Sequence, residues 1–363
     1  MNKILSRNPE IKAFSVSPLI LSVMSLAYQG YSLDEFPDMG SDQAFRQRLF
    51  DTYIERMFRR RGNTYTYTNQ QAKHLLVWIA QRMVQASQTV FFIENMQPSW
   101  LQNRDQRLLY HLESSLIFGL IGMLSGALVG LLSGGGRVGM AYGALTGGLT
   151  PALIAATLGE ITPVETLKWS WKATKISLRT GLIYGLIVGL IYALIFVLMV
   201  WINGLFWPPD DPDDWINGFI GLPIFALFSG LFGGLIFGLF GGLKGPGIGN
   251  KTKPNQGIWR SARNAGILTL VLALFGGMAS GLIAMLIFGL FGGLLGGGSA
   301  CIRHSSLRLM LYRVGYIPWN YARFLDYAAE RLFLQKVGGG YIFIHRMLLE
   351  HFAQMTLEQK RPQ

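Results

Sequence analysis

The sequence predicts an all-α membrane protein, a glycine-rich transmembrane helix bundle of about six spans flanked by soluble helical regions. Three observations predict it. Between Ser114 and Cys301 glycine recurs every fourth residue inside long apolar runs. Of the 363 residues, 50% are hydrophobic and 14% charged, and the charges gather toward the two ends. The formal net charge is +12, and the cations sit beside the apolar runs.

The glycine series decide the class. They are Gly122, Gly126, Gly130 and Gly134; Gly135, Gly139, Gly143 and Gly147; Gly181, Gly185 and Gly189; Gly230, Gly234, Gly238 and Gly242; and Gly289, Gly293 and Gly297. In water such a helix is poor, because each glycine costs about 1 kcal/mol against alanine. In lipid the backbone must bond to itself, so a spanning segment is helical. Glycines stacked on one face then let a neighbouring backbone approach closely, as a glycine zipper. Gly122, Gly126, Gly130, Gly185, Gly189, Gly234, Gly238, Gly289 and Gly293 are the expected helix-packing positions.

Three domains follow: 1–110 soluble and helical, 111–301 the bundle, 302–363 soluble again. Phe14 to Ala27 is an apolar run with Ser25-Leu26-Ala27 as a candidate cleavage site. Pro9, Glu10, Lys12 and Pro18 argue against a signal peptide and for a buried amphipathic helix. Ser41 to Arg61 puts Phe45, Leu49, Phe50, Tyr53, Ile54, Met57 and Phe58 on one helical stripe. Thr68 and Gln71 form a capping box for a helix to about Ala86. That helix buries Ala72, Leu75, Leu76, Ile79, Met83 and Val84. Thr89 to Ile93 is a short β-like run.

The bundle divides at the ~20-residue length a bilayer needs. The expected spans are Ser115–Gly134, Val138–Leu158, Gly181–Trp201 and Gly218–Leu243. Gly266–Ala300 is too long for one span and reads as a hairpin turning at Gly276-Gly277 or Ser280-Gly281. Beyond it, Pro318 opens a helix with the stripe Tyr321, Phe324, Leu325, Ala328, Ala329, Leu332 and Phe333, ended by Gly338-Gly339-Gly340. Tyr341 to Ile344 reads as a strand and His345 to Met355 as a helix.

Charge orients the spans. Lys168, Lys172, Lys175 and Arg179; Lys244, Lys251, Lys253, Arg260 and Arg263; and Arg303, Arg308 and Arg313 all belong on the cytoplasmic side. The acidic, tryptophan-flanked segment 207–215 belongs opposite. Both termini are then cytoplasmic and the chain is an integral protein of a cytoplasm-facing membrane. Lys168, Lys172, Lys175 and Arg179 fall on one stripe beside Trp169 and Trp171. They make either an interfacial helix on anionic headgroups or a solvated connector with ordinary stop-transfer lysines. The basic excess thus points to membrane lipid rather than nucleic acid.

Candidate chemistry is sparse. The assigned spans hold no Asp, Glu, Lys, Arg or His, which disfavours ion or proton transport. Pro151 and Pro223 read as tolerated kinks. Gly245-Pro246-Gly247-Ile248-Gly249-Asn250-Lys251-Thr252 falls short of a phosphate-binding loop, because Asn250 stands where glycine is needed and no strand precedes it. One cysteine and the spacing of His74, His111, His304, His345 and His351 offer no metal site, and no catalytic residues stand out.

The flanks bear a resemblance. Asn8-Pro9-Glu10-Ile11, Ser17-Pro18-Leu19-Ile20-Leu21-Ser22 and Phe45 to Arg61 resemble the helical region after the ATPase core of bacterial NACHT-family (STAND-type) NTPases. Tyr341 to Ala353, with Phe343-Ile344-His345 and Glu350-His351-Phe352-Ala353, resembles the end of the NACHT winged-helix region. Gln97 to Leu101 and Gly315 to Ala322 are similar to segments of a bacterial subgroup with a membrane insertion.

The resemblance implies a winged-helix-like C-terminal region and a signal-transduction switch in stress or defence, anchored in the membrane. It also implies a homo-oligomer or association with a NACHT ATPase core. By resemblance, His345 contacts the β-phosphate of ADP and Pro18 packs on the adenine. The chain departs from the family in lacking the Gly-x4-Gly-Lys-Ser/Thr loop and the paired acids that hold Mg²⁺; Leu349 stands where the family has glutamine. The expectation is therefore a non-enzymatic C-terminal portion of a longer or split protein, with ADP or ATP bound only alongside a separate or upstream core. A small-solute transporter or channel is the other reading.

Overall fold

The computed structural model describes residues 18–29, 42–60, 67–157, 159–165, 170–206 and 251–356, with a few isolated positions between 220 and 242. The described residues are mostly helical and form two compact units.

The first unit gathers residues 1–93, 251–254 and 311–363. Helix α1 is Pro18–Ala27 and α2 is Asp42–Arg59. All seven residues of the α2 stripe, Phe45 through Phe58, are buried. Helix α3 is Asn69–Gln85, opened by the capping box: Thr68 Oγ1 accepts from Gln71 N–H at 3.2 Å, and Gln71 Oε1 accepts from Thr68 N–H at 3.1 Å. Its buried face matches the expected one except at Val84, which is 47% exposed. The helix turns fully inward around Trp78 instead, and Val84 lies past the packed face.

The C-terminal flank departs from expectation in one element. The helix after Pro318, α9 (Tyr321–Glu330), ends well before the triple glycine. Leu332 takes a left-handed conformation (φ 59°), and Leu334–Val337 leaves as strand β1. It pairs antiparallel with β2, Gly340–Phe343, and Gly338 turns between them at φ 58°. Pairing with β2 outweighs helix continuation. Helix α10, Arg346–Gln354, closes the chain. Phe91 forms a bridge with Tyr341, which joins the expected β-like run of the N-terminal flank to this hairpin.

The second unit holds residues 94–250 and 255–310. Among the described residues five helices are long and apolar enough to cross a membrane, rather than six. They are α4 (Arg104–Leu132), α5 (Gly136–Thr157), α6 (Trp171–Ile202 of Trp171–Phe206), α7 (Gln256–Met278) and α8 (Gly281–Arg313). The expected span Gly218–Leu243 lies largely outside the described residues, as do the acidic segment 207–215 and most of the 245–252 loop. The helices carry their apolar side chains outward: Leu116 is 71% exposed, Leu194 69% and Met278 89%. Such a surface is stable in hydrocarbon and not in water.

Glycine sets the packing. Helices α4 and α5 form an antiparallel hairpin in which Gly122 faces Gly147, Gly126 faces Gly143 and Gly130 faces Gly139. A Cβ on Gly139 would lie 2.8 Å from Gly130 O, and one on Gly126 would strike Gly143 O. Pro151 lies within α5, which runs on to Thr157. The α7–α8 hairpin turns at Gly281 (φ 78°), in the second of the two expected places. Gly289 meets Ala273 and Gly293 meets Thr269 across it. Helix α8 widens at Leu294–Gly298, where Gly297 takes φ 123°. Gly185 and Gly189 are buried, and Gly234 meets Gly181 and Gly185. Gly238 lies outside the described residues.

Candidate functional site

His345 occupies the corner between β2 and α10. Tyr341 and Phe343 of β2 point inward, which turns the chain so that Ile344 N–H bonds Phe333 O at 3.2 Å. His345 is then extended (φ −135°, ψ 138°) and starts α10 with its carbonyl, accepting from Leu349 N–H at 3.0 Å. Its side chain does not cap the helix and is 5% exposed. Burial holds its pKa below the ordinary histidine value, so the neutral imidazole is favoured. Pro18 begins α1; its side chain lies outside the described residues.

Two helices beside His345 form a groove of about 560 Å³, lined by Arg46, Phe50 and Asp51 of α2 and Met347, Glu350 and His351 of α10. His351 Nε2 lies 3.0 Å from Asp51 Oδ1, and its ring lies 5.4 Å from that of Phe50. Sequence spacing carries no signal for the Asp51 partner of His351. The motif histidine and the groove histidine thus do different things: one is packed, the other ties α10 to α2.

Of the expected headgroup residues, Lys172, Lys175 and Arg179 are exposed on one face at the start of α6, beside Trp171 at 71% exposure. Lys168 lies outside the described residues. A second polar feature was not legible in the sequence. The connector 159–165, between α5 and α6, is held by side chains from three other segments. Gln97 bonds Ile161 twice, Nε2 to O at 2.9 Å and Oε1 from N–H at 2.8 Å. Asn264 donates to Val164 O at 2.8 Å. Arg303 donates to Glu160 O at 3.0 Å and to Gly159 O. Glu165 and Glu94, both buried, meet at Gly257, and Arg260 lies 3.9 Å from Glu165.

Inside the bundle, α5 and α6 share hydroxyls. Thr150 Oγ1 donates to Tyr192 Oη at 3.2 Å, and Tyr192 Oη donates to Thr146 O at 3.3 Å. Thr146 Oγ1 donates to Tyr142 O one turn back at 2.9 Å, and Thr150 Oγ1 lies 3.0 Å from Thr146 O, so its single proton is shared between that carbonyl and Tyr192 Oη. Among the described residues no group of three or more His, Cys, Asp or Glu suits a metal ion.

No family model matches this chain, and neither the curated proteins nor the solved structures contain a match to it.

Proposed function

We propose that this chain is the membrane-anchored, non-catalytic part of a NACHT-type signal-transduction switch. One observation carries the reading: the two flanks fold together into one unit, so the apolar region is an insertion into a soluble lobe rather than a terminal anchor. A switch lobe with a membrane insertion needs that topology. The β hairpin followed by α10, with His345 at the corner, is the part of the lobe that carries the winged-helix-like resemblance.

The same unit orients the chain. Residues 1–93, 251–254 and 311–363 lie in one lobe and therefore on one side of the membrane. An even number of crossings separates each pair of neighbours. Helices α7 and α8 satisfy that between Pro254 and the C-terminal flank. Helices α4, α5 and α6 make three crossings before Lys251, which supports the span read at Gly218–Leu243 as the fourth. Lys172, Lys175 and Arg179 support a cytoplasmic side for the lobe and both termini.

In this reading the bundle holds the lobe at the membrane and associates with copies of itself or with a nucleotide-binding core. Neutral His345 retains one N–H for a phosphate oxygen once the core docks. The test is ADP affinity of this chain assembled with such a core, comparing His345→Ala with the parent. A clear loss supports the sensor role, and unchanged affinity removes it. Labelling of both termini by reagents confined to the exterior of intact cells overturns the topology.

The Thr146–Thr150–Tyr192 hydroxyls favour a second reading, a small-solute transporter, because buried polar groups in a membrane often line a path. Flux in proteoliposomes of the parent, lost in Tyr192→Phe, would select it.

A further inference from the structure

We infer that Arg82 is the anchor of a phosphate-binding site on the soluble lobe. Arg82 lies in the last turn of α3 and is 9% exposed, a depth at which an arginine is ordinarily paired with an acid. Here the partner is neutral: Nη1 donates to Gln85 Oε1 at 2.7 Å. Nε is buried and has no hydrogen-bond acceptor among the described residues. No described carboxylate lies within ion-pair distance of the guanidinium, and Tyr316 is the titratable group that acts on it.

The surroundings are built rather than loose. Trp78 precedes Arg82 by one helical turn and shares its face. Its ring stacks on Tyr316 at 5.7 Å and 14°. Tyr316 is fixed in turn by its N–H bond to Leu311 O at 2.9 Å, after Gly315 at φ 84°. Arg82 thus lies on the packed face of α3 that also carries Trp78, while its Nη1 reaches the exposed Gln85, where a ligand has access.

An uncompensated buried cation is costly, and the cost disappears when an anion arrives. A guanidinium offers five N–H donors in a planar fork suited to oxyanions. The guanidinium fork and the amide of Gln85 beside it together offer several donors to one tetrahedral phosphate. The phosphate is either free in solution or the headgroup of a lipid. This site is independent of the His345 reading and stands or falls separately.

The experiment is thermal unfolding of the full chain. One arm uses detergent micelles with inorganic phosphate against chloride at equal ionic strength. The other uses nanodiscs of phosphatidylglycerol against phosphatidylcholine. The parent melting midpoint rises with phosphate, with phosphatidylglycerol, or with both, and the responding arm identifies the source. Arg82→Gln abolishes the rise yet melts no lower than the parent without ligand, since a buried charge has been removed. Arg82→Lys keeps the charge, loses the fork, and weakens the apparent affinity about tenfold, one lost charge-assisted bond. The site is overturned if the parent responds in neither arm or if Arg82→Gln responds like the parent. It is also overturned if Arg82→Gln melts well below the parent or fails to fold, since Arg82 is then satisfied within the chain. A response to a glutamate-rich peptide in place of phosphate overturns the phosphate assignment.

Discussion

Phe91 and Tyr341 exchange both backbone hydrogen bonds: Phe91 N–H to Tyr341 O at 2.7 Å and Tyr341 N–H to Phe91 O at 2.9 Å. The whole membrane region lies between them in sequence. The lobe therefore cannot close until the last spans have been made, and its β contact has very high sequence separation. Gly340 keeps the approach open, since a Cβ there would lie 2.6 Å from Val90 Cγ1 and 2.9 Å from Phe91 O. Gly340→Ala is expected to push the two segments apart at about 1–3 kcal/mol. Hydrogen exchange at Phe91 N–H should quicken; unchanged protection would refute the contact.

Phe333 is the hub of the lobe core. It is fully buried and its ring meets those of Phe58 at 4.8 Å, Phe352 at 6.0 Å and Tyr53 at 6.5 Å. It joins α2 of the N-terminal flank to α10 of the C-terminal one. Phe333→Ala should destabilise the lobe by about 3–5 kcal/mol. Denaturant unfolding of the full chain in micelles measures it, and a loss under about 1 kcal/mol would mean the flanks do not share this core.

Two glycines separate packing from propensity. Gly126 faces the backbone of Gly143 across the α4–α5 hairpin, whereas a Cβ on Gly266 meets nothing within 4 Å. Gly126→Ala should open the hairpin and lower the melting midpoint by several degrees. Gly266→Ala should be neutral or stabilising by up to about 1 kcal/mol, because alanine is the better helix former. Equal effects from both would show that the close approach of α4 and α5 is not what holds the hairpin.

Periodic and local signals were the legible ones. The α2 stripe, the Thr68–Gln71 box and the every-fourth glycines each act within a few residues of sequence, so the sequence alone displays them. Strand β1 was hidden because Leu334–Val337 has an unremarkable composition and takes its conformation from β2. The Gln97, Asn264 and Arg303 bonds to the 159–165 connector were hidden for a related reason: each links a common polar residue to a distant carbonyl, and no spacing marks it. Arg82 reads in sequence as an ordinary last-turn cation, and only the packing of α3 shows it to be buried.

The connector supplies a sharper test of that hidden layer. Ile161 is 1% exposed, so its N–H and carbonyl depend on Gln97. Gln97→Ala leaves both buried without their partner and should cost about 1–3 kcal/mol per group left unsatisfied. Gln97→Glu retains the acceptor for Ile161 N–H but sets a carboxylate against Ile161 O, and should also destabilise. Limited proteolysis at the connector reads both; resistance equal to the parent would show that Gln97 is dispensable.

Acid sensitivity is expected from His74 and His345. Burial holds the pKa of each below the ordinary histidine value, because the imidazolium is disfavoured in the folded lobe. In the unfolded chain both titrate near about 6.5. Below that pH the unfolded state binds protons that the folded state resists, so protonation draws the equilibrium toward unfolding. The contribution is intact above about pH 6.5 and is lost as the pH falls from there toward the depressed folded values. The slope of melting midpoint against pH between about 7 and 5 should be shallower in His345→Gln than in the parent, and shallower again with His74→Gln added. A double variant with the parent slope would assign the acid sensitivity to other groups.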